Sequence, residues 1–342
     1  MTLHAYLDHA ATTPMRPEAV AAMLPFLTDR FGNPSGVHRV SRAARAALDE
    51  ARETVAACLG AEPGEIVFTG GGTEADNLAV AGVHAVAPGA VVCGATEHHA
   101  VLHACRALGG RAVPVDADGV LDLDALAAAL DDSVRVVSVM LANNEVGTVQ
   151  PLEAVADLVR SRSPNARLHT DAVQAFPWLD VAALAAPADL VAVSAHKFGG
   201  PKGVGALVVR SGVQVAPLLH GGGQERDRRS GTHNVAGIAA MAAAMQATVD
   251  TRAAAVERAA RLRDRLADGL LAAVPGAIET GKRSTKVAGN CHVRFPGVEA
   301  EALLLLLDEA GVCAAAGSAC AAGAVDPSHV LVAMGLSADE AR

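Results

Sequence analysis

The sequence is short of aromatic residues, basic charge and long apolar runs, and each shortage excludes a class of protein. Aromatic residues make up 2% of the 342 residues, so a planar cofactor would find few rings on which to stack. The formal net charge is −9 and no basic run offsets it, which argues against nucleic acid as the main partner. The longest apolar runs, such as residues 303–307, are too short to span a bilayer.

Cysteine use and the first residues indicate a reducing compartment. The six cysteines show neither CxxC pairs nor close zinc-ligand spacing. The first eight residues lack the basic region and apolar core of a signal peptide. We therefore expect a cytoplasmic protein with reduced thiols and no membrane partner.

Short apolar runs alternate with helical stretches, which predicts an α/β fold. The runs predict strands at residues 66–69, 90–93, 112–115, 134–140, 167–170, 189–194 and 205–209. Helices are predicted at residues 17–29, 39–60, 236–272 (one long helix or two) and 299–310, with a further strand at 290–295. We expect an N-terminal segment (1–15), a large domain with a mainly parallel sheet (16–250) and a smaller α+β domain (251–342).

The strongest chemical signal is the lysine in Ser194-Ala-His196-Lys197, which follows one of the predicted strands. Only four of the 28 basic residues are lysine. Because arginine does not lose its proton in proteins, a lysine at this position indicates that an amine is needed, as a nucleophile or for a Schiff base. Ligands in parallel sheets bind at the carboxyl ends of strands, so the residues after each predicted strand are candidates too.

Two other strand ends are ambiguous. The segment from Gly70 to Asn77 is either a phosphate cradle, with Gly72 and the Thr73 hydroxyl as donors, or a glycine-rich turn capped by Thr73. It is neither a Walker loop nor GxGxxG, which disfavours a Rossmann dehydrogenase. The pair Asn143-Asn144 supplies either turn formers or ligands.

Histidines and an aspartate follow two further strands. His98 could lie over a cofactor ring, whereas His99 and His103, four residues apart on one helix, could bind a metal. Asp171 directly ends a predicted buried strand, where a carboxylate is costly unless a cation pairs with it. A pyridinium nitrogen would be such a cation, and Gln174 could reach the ring hydroxyl. Pyridoxal 5'-phosphate requires a phosphate cradle, an acidic residue at its ring nitrogen and a lysine amine. The three signals together therefore predict this cofactor.

At these residues the sequence resembles the cysteine desulfurases of the class V aminotransferase family, in the NifS/IscS-like group with the fold type I of pyridoxal enzymes. The similarity runs through nearly the whole chain in one order, in segments 6–14, 31–34, 65–78, 96–98, 143–147, 169–174, 196–203, 220–226, 229–232 and 317–320.

The resemblance implies a role for each candidate residue. Lys197 would form the Schiff base and act as a base at Cα, Asp171 would bind the ring nitrogen, and His98 would stack on the ring and handle protons. The other cofactor contacts implied are Gly72, Thr73, Asn144, Gln174, Ser194 and His196. Thr232 would contact the phosphate of the second subunit, which implies a homodimer.

Cys320 is the sulfur-accepting nucleophile implied by the resemblance. From its Ala-rich surroundings alone it could equally be a small buried thiol. The implied reaction converts L-cysteine to L-alanine and leaves a persulfide on Cys320, which passes to acceptors for iron–sulfur cluster assembly or tRNA thiolation. No resident metal is expected, although Cys320 could bind an iron–sulfur cluster transiently.

Two departures from the family pattern accompany this resemblance. Ala314-Ala315-Ala316 stands where relatives usually carry serines, and Arg342 is the last residue before the family's Arg-containing, carboxylate-binding segment. We expect either a truncated C-terminal domain or impaired substrate binding. The alternatives are a selenocysteine lyase, another class V enzyme such as an aminotransferase, or a catalytically impaired regulatory homologue.

Overall fold

The computed structural model describes residues 5–317 and 327–342. Its helices there are α1 Pro17–Met23, α2 Arg39–Cys58, α3 Gly72–Val86, α4 His99–Ala107, α5 Leu123–Ala129, α6 Leu152–Arg162, α7 Val181–Leu184, α8 Val235–Ala273, α9 Ala300–Glu309 and α10 His329–Ala333. Its strands are β1 Ala5–Tyr6, β2 Ile66–Thr69, β3 Ala90–Gly94, β4 Arg111–Val113, β5 Val134–Ser138, β6 Arg167–Asp171, β7 Leu190–Ser194, β8 Gly205–Val209, β9 Ile278–Glu279, β10 Val293–Arg294 and β11 Val312–Cys313. None of the helices in these two ranges has the length and apolarity needed to cross a membrane.

One seven-stranded sheet organises the fold, and its strand order is β2-β8-β7-β6-β5-β3-β4. The pairs from β4 through β7 are parallel, whereas β8 runs antiparallel to both β7 and β2. Each of the seven apolar runs forms one of these strands, so the predicted mainly parallel sheet is confirmed.

The sheet is buried on both faces. On β7, Val191 and Val193 pack into a core shared with α2, α6 and α8. The alternate residues Leu190 and Ala192 pack into a second core with α3 and α4. Near-continuous apolar strands are the pattern of a sheet covered on both sides. The strand ends are therefore where a ligand can reach the sheet.

Some elements differ from the predicted ones. The helix predicted over 17–29 stops at Met23 and continues as the 3-10 turn Leu24–Phe26, because Pro25 has no N–H to donate and its ring disturbs the preceding turn. The helical region after residue 235 is the single helix α8. The domain boundary predicted at residue 250 falls inside α8, and the division into domains stays a prediction.

Residues 5–13 tie two distant parts of the chain together. Strand β1 pairs in parallel with β11, with Ala5 opposite Val312. Eight residues later, the backbone N–H and the hydroxyl of Thr13 both donate to the carbonyl of His196, at 2.9 and 2.8 Å. The segment therefore connects β11 with the loop after β7.

A buried ion pair fixes a strained turn beside β2. Glu225 accepts hydrogen bonds from Arg52, from the backbone N–H of Phe68 and from His233. The φ angles of Glu225, Arg226 and Asp227 are 50°, 58° and 63°, in the left-handed region that residues other than glycine adopt at a cost. The charged hydrogen bonds of Glu225 offset that cost.

Glu225→Gln should lower the free energy of unfolding by about 3 kcal/mol at pH 7, because Arg52 stays buried without its counter-charge. Burial raises the pKa of Glu225, but hydrogen bonds from His233 and Arg52 outweigh it and lower the pKa to about 2. A lowered carboxyl pKa stabilises the fold above the unfolded value near 4.5 and ceases to do so as pH falls towards 2. The difference between wild type and variant should therefore shrink between those pH values.

Denaturant unfolding followed by circular dichroism at several pH values measures this difference. The exposed Arg45–Asp49 pair, 3.0 Å apart, provides the matched control, since Asp49→Asn should cost less than about 1 kcal/mol. Equal costs for the two variants would contradict a stabilising role for the Arg52–Glu225 pair.

Candidate active site

The amine of Lys197 lies at the carboxyl edge of the sheet, as predicted. β7 ends at Ser194 and the chain makes one 3-10 turn, Ala195–Lys197. The Lys197 side chain is half-buried, and its Nζ donates to the carbonyls of Ala10 and Ala11 at 2.5 and 2.9 Å. The N-terminal segment thereby orients the amine.

The turn between β2 and α3 passes close to the end of β7. Gly71 has a φ of +151°, and Gly72 begins α3. A Cβ on Gly72 would lie 3.0 Å from Val173 Cγ2 and 3.4 Å from Ser194 Cβ. A larger residue would crowd these two side chains, and the start of α3 is suited to an anion because its first N–H groups have no helical partner.

A cavity of about 840 Å³ opens at this edge of the sheet. Its lining includes Gly72 and Thr73, the predicted phosphate cradle, and two other predicted cofactor contacts, Ser194 and His196. The His196 ring lies 3.2 Å from the Thr12 hydroxyl, measured from Nδ1 to Oγ1. The structure thus brings these four predicted residues together around one space.

Asp171 and His98 lie beside each other near Lys197. Asp171 is 5% exposed, and its Oδ1 accepts the backbone N–H of Val173 at 2.8 Å. Burial raises the pKa of Asp171 to about 6, while the Val173 hydrogen bond and the Lys197 charge oppose the rise. Burial and the nearby Lys197 charge lower the pKa of His98 to about 4. One ligand atom from each of Asp171, His98 and Asp76 lies within 4.8 Å of the others.

These side chains fit pyridoxal 5'-phosphate. The glycine turn and the first residues of α3 line the cavity, where helix N–H groups can bind a phosphate, and the buried carboxylate of Asp171 requires a cation such as a protonated ring nitrogen. Lys197 offers an amine, the group that forms a Schiff base with an aldehyde. The neutral ring of His98 can lie against a planar ring.

Gln174 and Asn144 occupy different surroundings. Gln174 Nε2 donates to the Ala10 carbonyl at 2.8 Å, the same carbonyl that accepts from Lys197. Asn144 is half-buried. Its neighbour Asn143 shapes the loop, because its Oδ1 accepts the backbone N–H groups of the two residues after Asn144, each at 2.9 Å. The cofactor contacts of Gln174 and Asn144 stay predictions.

Thr232 lies exposed on the loop before α8. The same loop is tied to the glycine turn, because Arg229 Nε donates to Glu74 Oε1 at 2.8 Å and Glu74 Oε2 accepts the N–H of Gly70 at 2.7 Å. Cys320 lies outside the described residues.

A buried polar group with no predicted role lies behind Asp171. It consists of Asp76 on α3, Glu97 after β3, Ser138 on β5 and His169 on β6, all 2% exposed or less. The signal available in the sequence was His169 itself, a histidine in the middle of a strand predicted to be buried.

The histidines of α4 do not assemble the predicted alternative metal site in the described part of the chain. The rings of His99 and His103 stack with centroids 4.9 Å apart, and His329 lies 4.5 Å from His99. The only described group with three ligand atoms within 4.8 Å of one another is Asp76, His98 and Asp171.

Known proteins resemble the chain over almost its whole length. The profile of the family described as aminotransferase class-V matches residues 5–338. A cysteine desulfurase of Cereibacter sphaeroides is 46% identical over 96% of this chain and 86% of its own length. An IscS-like cysteine desulfurase of Mycobacterium tuberculosis is also 46% identical, over 99% and 89%. A solved NifS-like protein superposes with a TM-score of 0.92 at 35% identity, covering 99% of this chain and 91% of the other.

His98 should remain a neutral imidazole at pH 7 and gain its proton only near pH 4, because burial and the charges of Lys197, His329 and His103 lower its pKa. ¹⁵N NMR of labelled protein between pH 4 and 8 measures this, with the His98 signals assigned by their loss in His98→Gln. A titration midpoint near the ordinary value of about 6.5 would contradict the buried, cation-facing environment.

Proposed function

The chain belongs to the aminotransferase class-V family, and we infer that it is a cysteine desulfurase that uses pyridoxal 5'-phosphate to remove sulfur from L-cysteine. The observation that carries this inference is the Lys197 amine at the sheet edge, with Asp171 and His98 beside it. L-Cysteine and the Cys320 thiol would give L-alanine and a persulfide on Cys320.

Each part of the cofactor has a matching group in the chain. We assign the phosphate to Gly72, Thr73, Ser194 and His196, which line the same cavity. Asp171 would hold the proton on the ring nitrogen, and Gln174 and Asn144 would contact the ring substituents. When bound, the cofactor supplies an electron sink that makes the Cα proton of the amino acid acidic.

Lys197 has two roles in the proposal. Its amine would hold the cofactor covalently, and as a free amine it would accept the Cα proton of the substrate. A lysine amine suits general-base chemistry when nearby groups keep it oriented. The carbonyls of Ala10 and Ala11 provide that orientation.

The sulfur transfer assigned to Cys320 balances without an external oxidant. The Cys320 thiolate attacks the substrate sulfur, the substrate C–S bond breaks, and its electron pair stays with carbon. Protonation of that carbon and return of a proton to Cα give L-alanine, while Cys320 retains the sulfur as a persulfide. We assign proton handling near the substrate to His98, whose ring is neutral at pH 7 because burial and the Lys197 charge lower its pKa to about 4.

We propose that the working unit is a homodimer in which Thr232 reaches the phosphate site of the partner subunit. The exposure of Thr232 and the link from its loop to the glycine turn through Arg229 and Glu74 support this arrangement. The persulfide sulfur would pass to acceptor proteins for iron–sulfur cluster assembly or tRNA thiolation.

Lys197→Ala should abolish the yellow absorbance of the purified protein, because the covalent attachment of the cofactor is lost, and should stop alanine formation from L-cysteine. Lys282→Ala serves as the control, since this lysine is exposed and pairs with Asp118; it should keep both colour and activity. A Lys197→Ala protein that forms alanine at the wild-type rate would contradict the role assigned to Lys197.

Cys320→Ser should keep the colour and lose persulfide formation, because the variant can bind cofactor yet has no thiolate to accept sulfur. The control is Cys58→Ser, which changes a buried thiol on α2 to which no catalytic role is assigned. Mass spectrometry of the persulfide and assay of alanine give the readout. Sulfur transfer in the variant at the wild-type rate would rule out Cys320, and formation of a keto acid from L-cysteine would indicate an aminotransferase.

A further inference from the structure

A chain of buried hydrogen bonds behind Asp171 fixes the tautomer of His169. The Ser138 hydroxyl donates to Glu97 Oε2 at 3.3 Å, and its oxygen lies 2.8 Å from His169 Nδ1. A hydroxyl has one proton, and here Glu97 receives it. With the Ser138 proton directed to Glu97, His169 Nδ1 donates to Ser138, which leaves Nε2 of a neutral ring as an acceptor.

The acceptor Nε2 faces a carboxylate oxygen. Asp76 Oδ1 lies 3.5 Å from His169 Nε2, and neither atom has a hydrogen-bond partner in the part of the chain that the structure describes. Both residues are at most 1% exposed. Two buried acceptors facing each other would be costly, so one of them must carry a proton.

The proton belongs on Asp76 rather than on His169. Burial lowers the pKa of His169 to about 3, so its imidazolium form is disfavoured. Burial, followed by the charges of Asp171 and Glu97, raises the pKa of Asp76 well above its usual range. A carboxylic acid at Asp76 supplies the missing donor to Nε2.

We propose that Asp76 is a neutral carboxylic acid that donates its proton to His169 Nε2, so that Asp171 is the ionised member of this carboxyl pair. Asp76 and Asp171 each place an oxygen within 4.8 Å of the other and of a His98 nitrogen. Two buried carboxylates this close do not both ionise readily.

The surroundings decide which carboxyl group keeps the charge. Asp171 accepts the N–H of Val173 and lies in the field of the Lys197 ammonium, and both favour its charged form. Asp76 faces His169 and Asp171 on β6, Glu97 after β3, and His98, and none of these is a cation at neutral pH in the proposed arrangement.

Asp76 is thereby a positioning residue, and this consequence rests on the proposed function. It lies on α3, the helix whose first residue, Gly72, borders the cofactor cavity. When Asp76 is neutral, the negative charge of Asp171 is available to pair with the ring nitrogen. An ionised Asp76 would place a second negative charge behind the Asp171 carboxylate. It would also compete with the ring nitrogen for a proton.

Infrared difference spectroscopy of the full chain with its bound cofactor tests the location of the proton. At pH 7 the wild type should show the C=O stretch of a protonated carboxylic acid, shifted in D₂O, and Asp76→Asn should lose this band. Glu97→Gln is the matched control and should keep it. ¹⁵N NMR should show His169 as the neutral tautomer with its proton on Nδ1.

Variants separate the neutral acid from an ion pair. Asp76→Asn still offers N–H donors to His169 Nε2, so it should retain cofactor and keep the pH midpoint of the cofactor absorbance. Asp76→Ala removes the donor and should lower the thermal midpoint. A wild type without the band, a doubly protonated His169, or a shifted midpoint in Asp76→Asn would overturn the proposal.

The wild-type infrared and NMR measurements show whether Asp76 or His169 carries the proton, even if Asp76→Asn does not fold. A wild type that is colourless and does not bind pyridoxal phosphate, yet shows the Asp76 band and the Nδ1–H tautomer, would contradict the proposed function and support the inference about Asp76.

Discussion

A sheet covered by helices on both faces tolerates charge only at its strand ends, and the site depends on this constraint. β6 and β7 lie side by side, with Asp171 paired in register with Ala192. The carboxyl end of β6 therefore presents Asp171, and the turn after β7 presents Lys197. Opposite charges separated in the sequence by 26 residues meet because the two strands are parallel neighbours.

Groups outside the sheet complete this arrangement through hydrogen bonds. The carbonyls of Ala10 and Ala11 hold the Lys197 amine. Glu74 holds Arg229 on one side and the Gly70 N–H on the other. Backbone carbonyls and ion pairs thus orient the side chains that the sheet brings together. The geometry of the site therefore depends on loops that hydrogen bonds and ion pairs fix in place.

Much of the fold was predictable because burial on both faces makes each strand a continuous apolar run. Lys197 and Asp171 were recognisable because each directly follows such a run. The contact between Asp76 and His169 was not, since it depends on how α3 packs against β6, and neither residue stands out through spacing. The early end of α1 depends on Pro25, and the helix predicted over residues 17–29 ran past this proline. The sulfur role of Cys320 came from resemblance, because its Ala-rich surroundings equally suit a buried thiol.

The pairing of β1 with β11 sets the order in which parts of this protein fold. Ala5 is synthesised about 300 residues before its partner Val312, and such distant pairing is slow to close. The central sheet is synthesised completely before β11 exists. A nascent chain can therefore hold an assembled sheet while the segment with the carbonyls that orient Lys197 is attached at Thr13 but not yet at β11. Maturation of the lysine environment is a late event, separate in time from folding of the sheet.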